Sequence, residues 1–338
     1  MYGLFRSLLF RLEPERAHAL TLHLIRFAGG LPGVREGLKA YFAAAPRPVQ
    51  AFGLTFSNPI GLAAGYDKDG LGWRGLACLG FGHIEVGTVT VQPQLGNPQP
   101  RLFRLVEERG VINRMGFPGK GADFVVRQLQ GGRPAGMVLG INLGKNKDTP
   151  LEEAAGDYLA LARIFAPLGD YLAINVSSPN TVGLRRLQAR TSLHSLLGAL
   201  AGERSMLETR LGRHVPLLVK LAPDLTDEEL DDALDVIQST GMDGVIATNT
   251  TIGRTGVVSP YARESGGLSG QPLRQLSTEI VRKICHRTDG KLPVIGVGGI
   301  DSPFSAHEKL DAGACLVQIY TGMIYQGPGL VKTILNSL

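Results

Sequence analysis

From residue 48 onward the chain repeats one unit eight times, a short β-branched or apolar run followed by a helical pattern. The runs fall at 58–63, 83–88, 138–143, 171–176, 216–221, 243–248, 293–297 and 315–319. Helical stretches lie between them at 70–79, 118–129, 151–166, 189–211, 226–240, 272–286 and 303–311, and 327–337 supplies the last. Such alternation calls for a parallel sheet, because parallel neighbours need a crossover and a helix is the usual one. Eight units in about 290 residues predict an α/β fold of the closed (β/α)8 TIM-barrel type rather than an open doubly wound sheet. Thr226-Asp-Glu-Glu229 predicts a capping box. Residues around 97–117 break the alternation and predict a hairpin inserted after the second strand.

The carboxyl ends of the eight strands carry the chemistry. They read Ala64-Gly-Tyr-Asp-Lys68, Gly87-Thr88, Asn142-Leu-Gly-Lys145, Asn175-Val-Ser-Ser-Pro-Asn180, Lys220, Thr248-Asn-Thr250, Gly298-Gly299 and Tyr320-Thr-Gly322. That is the face on which barrel enzymes assemble their sites. The chain has 45 glycines in 338 residues, nearly twice the usual share of about 7% and without a Gly-X-Y period. They suit tight turns and close backbone approach to a ligand. Gly296-Val-Gly-Gly-Ile300 and Ile319-Tyr-Thr-Gly322 end strands seven and eight, whose loops commonly cradle phosphate. Gly270 can add a close-approach backbone donor.

Asn113, Asn142, Asn175, Asn180 and Asn249 lie at strand ends or in adjacent loops. An amide both donates and accepts, so the set suits a flat ligand with alternating C=O and N–H groups, such as a pyrimidine or an isoalloxazine edge. Asn also favours turns, which is the competing explanation for Asn180 after Ser-Pro. Lys220 sits inside the apolar strand Leu217-Leu-Val-Lys-Leu-Ala222 and needs an anionic partner; a reduced flavin, negative at N1, would supply one. Lys68 suits a substrate carboxylate as a point charge, with pairing to Asp67 or Asp69 as the alternative. Read alone, Ser178 is an ordinary turn serine, and no G-x-S-x-G elbow suggests acyl transfer.

Residues 1–47 differ from the rest. Seven Lys/Arg against three Glu place +4 of the chain's net +5 there. Residues 4–12 predict a short helix with two arginines. Pro14 opens a second, with Ala17, Leu20, Thr21, Leu24, Ile25 and Ala28 on one stripe and Leu22 and Phe27 off it. Gly29-Gly30 and Leu31-Pro-Gly33 predict its stop. Neither helix is long enough to cross a bilayer, so the pair predicts either a basic, apolar membrane foot or a helical pair packed on the barrel. Without a basic block interleaved with aromatics, nucleic acid is not an expected partner. Cys78, Cys285 and Cys315 are scattered without a CxxC, which argues against a metal site, an iron–sulfur cluster or a disulfide framework and for a reducing compartment.

Taken together, these strings resemble one family over essentially the whole length. They are Ala63-Ala-Gly-Tyr-Asp-Lys-Asp69, Ile84-Glu-Val-Gly-Thr-Val-Thr90, Pro100-Arg-Leu-Phe-Arg-Leu105, Ile112-Asn-Arg-Met-Gly-Phe117, Gly140-Ile-Asn-Leu-Gly-Lys-Asn-Lys147, Ile174-Asn-Val-Ser-Ser-Pro-Asn-Thr181, Ile246-Ala-Thr-Asn-Thr-Thr251, Gly266-Gly-Leu-Ser-Gly270 and Gly296-Val-Gly-Gly-Ile300. The chain resembles the class 2, quinone-dependent dihydroorotate dehydrogenases, and its amino-terminal helices match the segment that separates this class from soluble relatives.

The resemblance implies FMN as cofactor, with dihydroorotate stacked on it. By the same resemblance Ala64, Gly65, Tyr66, Asp67, Lys68, Thr88, Asn142, Asn175, Lys220, Thr248, Gly270, Gly299, Tyr320 and Thr321 fall on cofactor-binding positions. Lys68, Asn113, Arg114, Met115, Gly116, Phe117, Asn175, Asn180, Asn249 and Thr250 fall on substrate positions. Ser178 falls on the base that takes the C5 proton, where a cysteine would mark the soluble class. His18, Arg104 and Tyr320 fall along the quinone route; alone, His18 reads as a surface helix histidine. Tyr66 departs from the apolar residue expected there, and its hydroxyl needs a partner if buried. The implied organisation is a helical membrane and quinone-access segment at 1–47 and an FMN barrel at 48–338. The implied location is the cytoplasmic face of a bacterial inner membrane, for want of an Arg/Ser-rich transit peptide. The oligomer is expected to be a monomer or weak dimer. The competing functions are a flavin barrel for another pyrimidine, which predicts an RNA channel or an iron–sulfur domain, and a membrane scaffold, which leaves Lys220 and the amides unexplained.

Overall fold

A computed structural model describes residues 2–338. Three helices open the chain, α1 (Tyr2–Leu9), α2 (Pro14–Gly30) and α3 (Pro32–Phe42), followed by the hairpin β1 (Val49–Ala51) and β2 (Leu54–Phe56). Then come β3 (Ile60–Leu62) and β4 (His83–Val89), an inserted hairpin β5 (Leu102–Leu105) and β6 (Gly110–Asn113), and β7 (Val138–Leu143), β8 (Tyr171–Asn175), β9 (Leu217–Leu221) and β10 (Gly244–Ala247). A second insertion, β11 (Gly267–Gly270), precedes β12 (Val294–Val297) and β13 (Leu316–Ile319). The helices after the opening three are α4 (Trp73–Leu76), α5 (Ala122–Leu129), α6 (Ala154–Phe165), α7 (Arg190–Leu211), α8 (Asp227–Ser239), α9 (Arg274–Arg287), α10 (Pro303–Asp311), α11 (Thr321–Gln326) and α12 (Leu330–Leu335).

The predicted barrel is present. Taken without the insertions, the eight strands follow one another in chain order around a closed parallel ring, and β13 pairs with β3 to seal it. Inside the ring large side chains fill the space left by glycines. A Cβ on Gly61 would stand 2.0 Å from the His83 ring, and one on Gly140 would stand 2.1 Å from the Tyr171 ring. The β1–β2 hairpin, which the sequence pattern did not reveal, closes the amino-terminal end with Phe52 and Phe56 packed among Val138, Leu218, Ile246, Ile295 and Leu316. Helix α8 carries the capping box expected at Thr226 and Glu229.

Several local expectations need correction. The first helix ends at Leu9 rather than running to residue 12. Helix α2 ends at Gly30, where the stop was expected, with Leu31 as its cap, but α3 starts at once with Pro32 in its first turn. Gly29 also serves helix packing: a Cβ there would stand 2.4 Å from Gly75 Cα, so α2 lies directly on α4. The buried side of α2 matches the predicted stripe only in part: Ala17 is buried and Ile25 packs on the core, but Leu22 is buried while Leu20 and Leu24 are exposed. The insertion at 97–117 is a hairpin as predicted, but it is joined by β11 in an antiparallel sheet ordered β11-β6-β5. Gly-Leu-Ser-Gly has no strand pattern, and its partner is remote in sequence. The last predicted helix, 327–337, is the shorter α12, and a further helix, α11, precedes it ahead of Gly327-Pro328.

Candidate active site

Towards the carboxyl ends of the strands the lumen becomes polar. Glu85, fully buried on β4, is the hub. Its Oε1 accepts from Asn142 Nδ2 at 2.7 Å, and its Oε2 accepts from the Tyr171 hydroxyl at 3.0 Å and Gln318 Nε2 at 2.9 Å. Lys220 Nζ lies 3.6 Å from Glu85 Oε1. Lys220 therefore has its anionic partner within the chain, and that partner was not singled out from the sequence. Only the barrel register, which sets β4 across the lumen from β9, makes the pair visible.

Above this layer opens a cavity with about 1020 Å³ of empty space, its open mouth included. It is lined by Ala64, Gly65, Lys68, Thr88, Asn113, Met115, Gly116, Phe117, Asn175, Ser178, Asn180, Lys220, Thr248, Asn249, Thr250, Gly270, Gly299, Tyr320 and Thr321 from among the predicted site residues, and also by Gln318, Gly298 and Gly322. The amides are wired together. Asn180 Nδ2 donates to Asn113 Oδ1 at 3.0 Å, Asn249 Nδ2 to Asn175 Oδ1 at 3.2 Å, and Asn175 Nδ2 to Asn142 Oδ1 at 3.1 Å. Asn180 thus faces another amide across the site and is not merely a turn residue.

Ser178 is 5% exposed, and its Oγ accepts from the Asn180 N–H at 3.2 Å. Arg185 braces the preceding residue: Nε donates to Ser177 O at 3.1 Å, one Nη to Thr250 O at 2.9 Å, and the other to Asp224 at 2.7 Å. Its role was not legible in the sequence. Lys68 donates to Gly65 O at 2.6 Å, and burial lowers its pKa against the opposing pull of Glu15 and Asp69.

One end of the cavity is built from backbone. Gly298 and Gly299 have φ of 119° and 73°, in the region that favours glycine. Among the described residues the amides of Gly298, Gly299, Thr321 and Gly322 find no backbone acceptor. Unsatisfied N–H groups converging on a cavity wall suit an anion.

Four predicted residues do not line this cavity. Asn142 is fully buried beneath Asn175 and Thr88, in the Glu85 layer. Asp67 turns away to accept from the N–H groups of Leu71 and Gly72 at 2.8 Å each, and burial raises it to about 6. The Arg114 side chain leaves for Glu264 at 2.5 Å and stacks over Phe103 at 4.6 Å. Tyr66 packs against α2, its ring edge-on to His18 at 4.9 Å and to Tyr320 at 5.8 Å. Burial raises the pKa of its hydroxyl, and the nearby Thr21 side chain opposes that shift.

These aromatic contacts border a second cavity of about 620 Å³ beneath α1 and α2. Leu9, Phe10, Ala17, His18, Tyr66, Arg104, Tyr320 and Met323 are among its lining residues. Tyr320 lines both cavities, so it separates them. His18 is not a surface histidine: burial and the nearby Lys68 push its pKa down to about 3. Arg104 donates to the carbonyls of Leu9 and Leu12 and lies 4.6 Å over the Phe10 ring, fastening the α1–α2 turn to β5.

The dihydroorotate dehydrogenase family model matches residues 48–338. The chain belongs to the dihydroorotate dehydrogenase family. Proteins of Yersinia pseudotuberculosis and Yersinia pestis named dihydroorotate dehydrogenase (quinone) are 48% identical over 341 residues, covering 100% of this chain and 99% of theirs. The crystal structure of DHODH from Eimeria tenella in complex with ferulenol superposes with a TM-score of 0.85 at 39% identity, covering 96% of this chain and 90% of that one. The ligand-free form from the same organism gives 0.86 at 40% identity. Dihydroorotate dehydrogenases are flavin-dependent in general.

Proposed function

We propose that the chain oxidises dihydroorotate to orotate, a step of pyrimidine biosynthesis, and passes the electrons to a membrane quinone. The observation that carries this reading is the sharing of Tyr320 between two cavities: one holds Ser178, Lys220 and the amide set, the other is largely apolar and lies under α1 and α2. The cofactor is FMN. Its phosphate suits the unpaired amides of Gly298, Gly299, Thr321 and Gly322. Its ring suits the wall formed by Ala64, Gly65, Thr88, Asn175, Lys220 and Thr248. The bound FMN would supply the hydride acceptor for C6 of the substrate and the electron donor for the quinone.

The chain's own groups do the rest. A cyclic ureide with alternating C=O and N–H groups matches Asn113, Asn175, Asn180, Asn249 and Thr250, and the Lys68 ammonium matches its carboxylate. Ser178 Oγ takes the proton from C5 while its own hydroxyl proton passes to a water or polar neighbour. A hydroxyl is a weak base, so it needs that relay and an oriented site. The Asn180 N–H at 3.2 Å steadies the negative charge that the departing hydroxyl proton leaves on Oγ, and Arg185 holds the segment in place.

Residues 1–47 act as the membrane and quinone-access segment and 48–338 as the FMN barrel. Leu4, Phe5, Leu8, Leu20, Leu24 and Phe27 are exposed on α1 and α2 beside Arg11, Arg16 and Arg26. No helix among the described residues is long and apolar enough to cross a membrane. Attachment is therefore peripheral, at the cytoplasmic face of a bacterial inner membrane. The test is anaerobic: the protein should be yellow, dihydroorotate should bleach it, and a quinone rather than fumarate should restore the colour. Bleaching by another pyrimidine but not by dihydroorotate would overturn the reading.

A further inference from the structure

Lys309, on α10, lies outside both cavities and has no part in the chemistry above. It is completely buried. Its ammonium donates to Ser277 Oγ at 2.6 Å, Thr278 Oγ1 at 2.5 Å and the Arg274 carbonyl at 3.1 Å, none of them charged. The adjacent carboxylate, Glu308, lies 3.3 Å from the guanidinium of Arg274, and Arg274 and Arg282 add further positive charge. A buried cation without its own carboxylate is unfavourable. Lys309 belongs to the last turn of α10, but its ammonium is lodged against the first turn of α9, a helix of 14 residues whose amino-terminal end disfavours positive charge. Burial pushes its pKa down to about 7. Such a placement makes sense when an anion sits close by.

The anion site is one layer away. Ser277 Oγ, which accepts a hydrogen bond from Lys309, has two acceptors in reach for its own proton, Gly298 O at 3.1 Å and Arg274 O at 3.0 Å. The next residue, Gly299, presses on the start of α9, since a Cβ there would stand 2.4 Å from Arg274 Cβ. Gly296 makes room for the lysine stem, because a Cβ on it would stand 3.3 Å from Lys309 Cδ. Ser277 is fully buried on the far side of the loop from the cavity that Gly298 and Gly299 line. With the Gly298 carbonyl engaged from behind, the loop keeps its unpaired amides for the ligand.

We propose that Lys309 is a positioning residue for the phosphate of the cofactor, a buried cation that balances the phosphate charge from behind the Gly298-Gly299 loop and fixes that loop through Ser277. This rests on the FMN reading above, and the two can fail separately. Apoprotein is titrated with FMN and with riboflavin, which shares the ring but lacks the phosphate, by flavin fluorescence quenching. Lys309→Met should weaken FMN by about 10-fold or more, the order expected for losing one unit charge a layer away at an effective dielectric of about 20, and leave riboflavin nearly unchanged. Ser277→Ala keeps the charge and removes the link to Gly298, so it should lower the FMN-over-riboflavin preference in the same direction but less. It decides the matter if Lys309→Met does not fold. Equal weakening of both flavins, or an unchanged preference in the variant that folds, overturns the role of Lys309. A wild-type protein that binds neither flavin overturns the FMN reading instead.

Discussion

At the scale of single residues, the site depends on a few polar groups held out of water in fixed positions. Ser178→Ala should leave cofactor content intact and slow anaerobic bleaching by dihydroorotate by at least about 100-fold, the lower range for removal of a general base. Stopped-flow absorbance reads this directly, and an unchanged rate would reject Ser178 as the base. Glu85 was passed over in the sequence because a lone Glu in an apolar strand names no partner, yet it anchors the lumen. Glu85→Gln strands Lys220 without its counter-charge and should cost about 3–5 kcal/mol, measured as a shift in urea midpoint. Lys220 itself was legible, because an ammonium in a five-residue apolar strand has to be explained. The roles of Asp67 and Arg114 were not. Both sit inside diagnostic strings, and only side-chain direction shows that one caps a turn and the other pairs with Glu264.

At the scale of elements, α1 and α2 make the second cavity and the barrel makes the first. Removing residues 1–45 should therefore leave bleaching by dihydroorotate and abolish detergent-dependent quinone reduction. Quinone turnover that survives the deletion would sink the assignment of this segment. A subtler version is Gly29→Leu, which cannot fit where Gly75 Cα lies against α2. It should loosen α2 from α4 and depress quinone reduction while leaving reduction by dihydroorotate near wild type, and a coupled assay set against single-turnover bleaching separates the two. The accessory sheet teaches a related point. Hairpin β5–β6 is announced by its own sequence, whereas β11 becomes a strand only because β6 offers it an edge.

At the scale of the whole molecule, two histidines tie stability to pH. His18 and His83 are both held near pKa 3 by burial, and neither His83 ring nitrogen has a partner. Their folded values lie below the unfolded value of about 6.5, so between about pH 6.5 and 3 the unfolded chain binds the extra protons. Stability should fall as pH drops through that window and be insensitive to these groups above it. His83→Phe should flatten the acid limb of a urea-midpoint-against-pH curve, and a variant curve parallel to wild type would show that His83 protonates freely. The exposed apolar side chains of the opening helices also predict sedimentation with anionic lipid vesicles that weakens at higher salt.

The sequence by itself determined the barrel, the face that carries the site and most of the residues around it. Strand and helix periodicity, turn glycines and polar strand ends are local properties, and their order along the chain fixes their order around a parallel ring. The tertiary structure alone decided which groups meet across the lumen and which side of α2 is buried. It also decided that Tyr320 lies between two cavities and that Lys309 stands behind the Gly298-Gly299 loop. Those are contacts between residues far apart in the chain, set by register and close packing, and no window of sequence contains both partners.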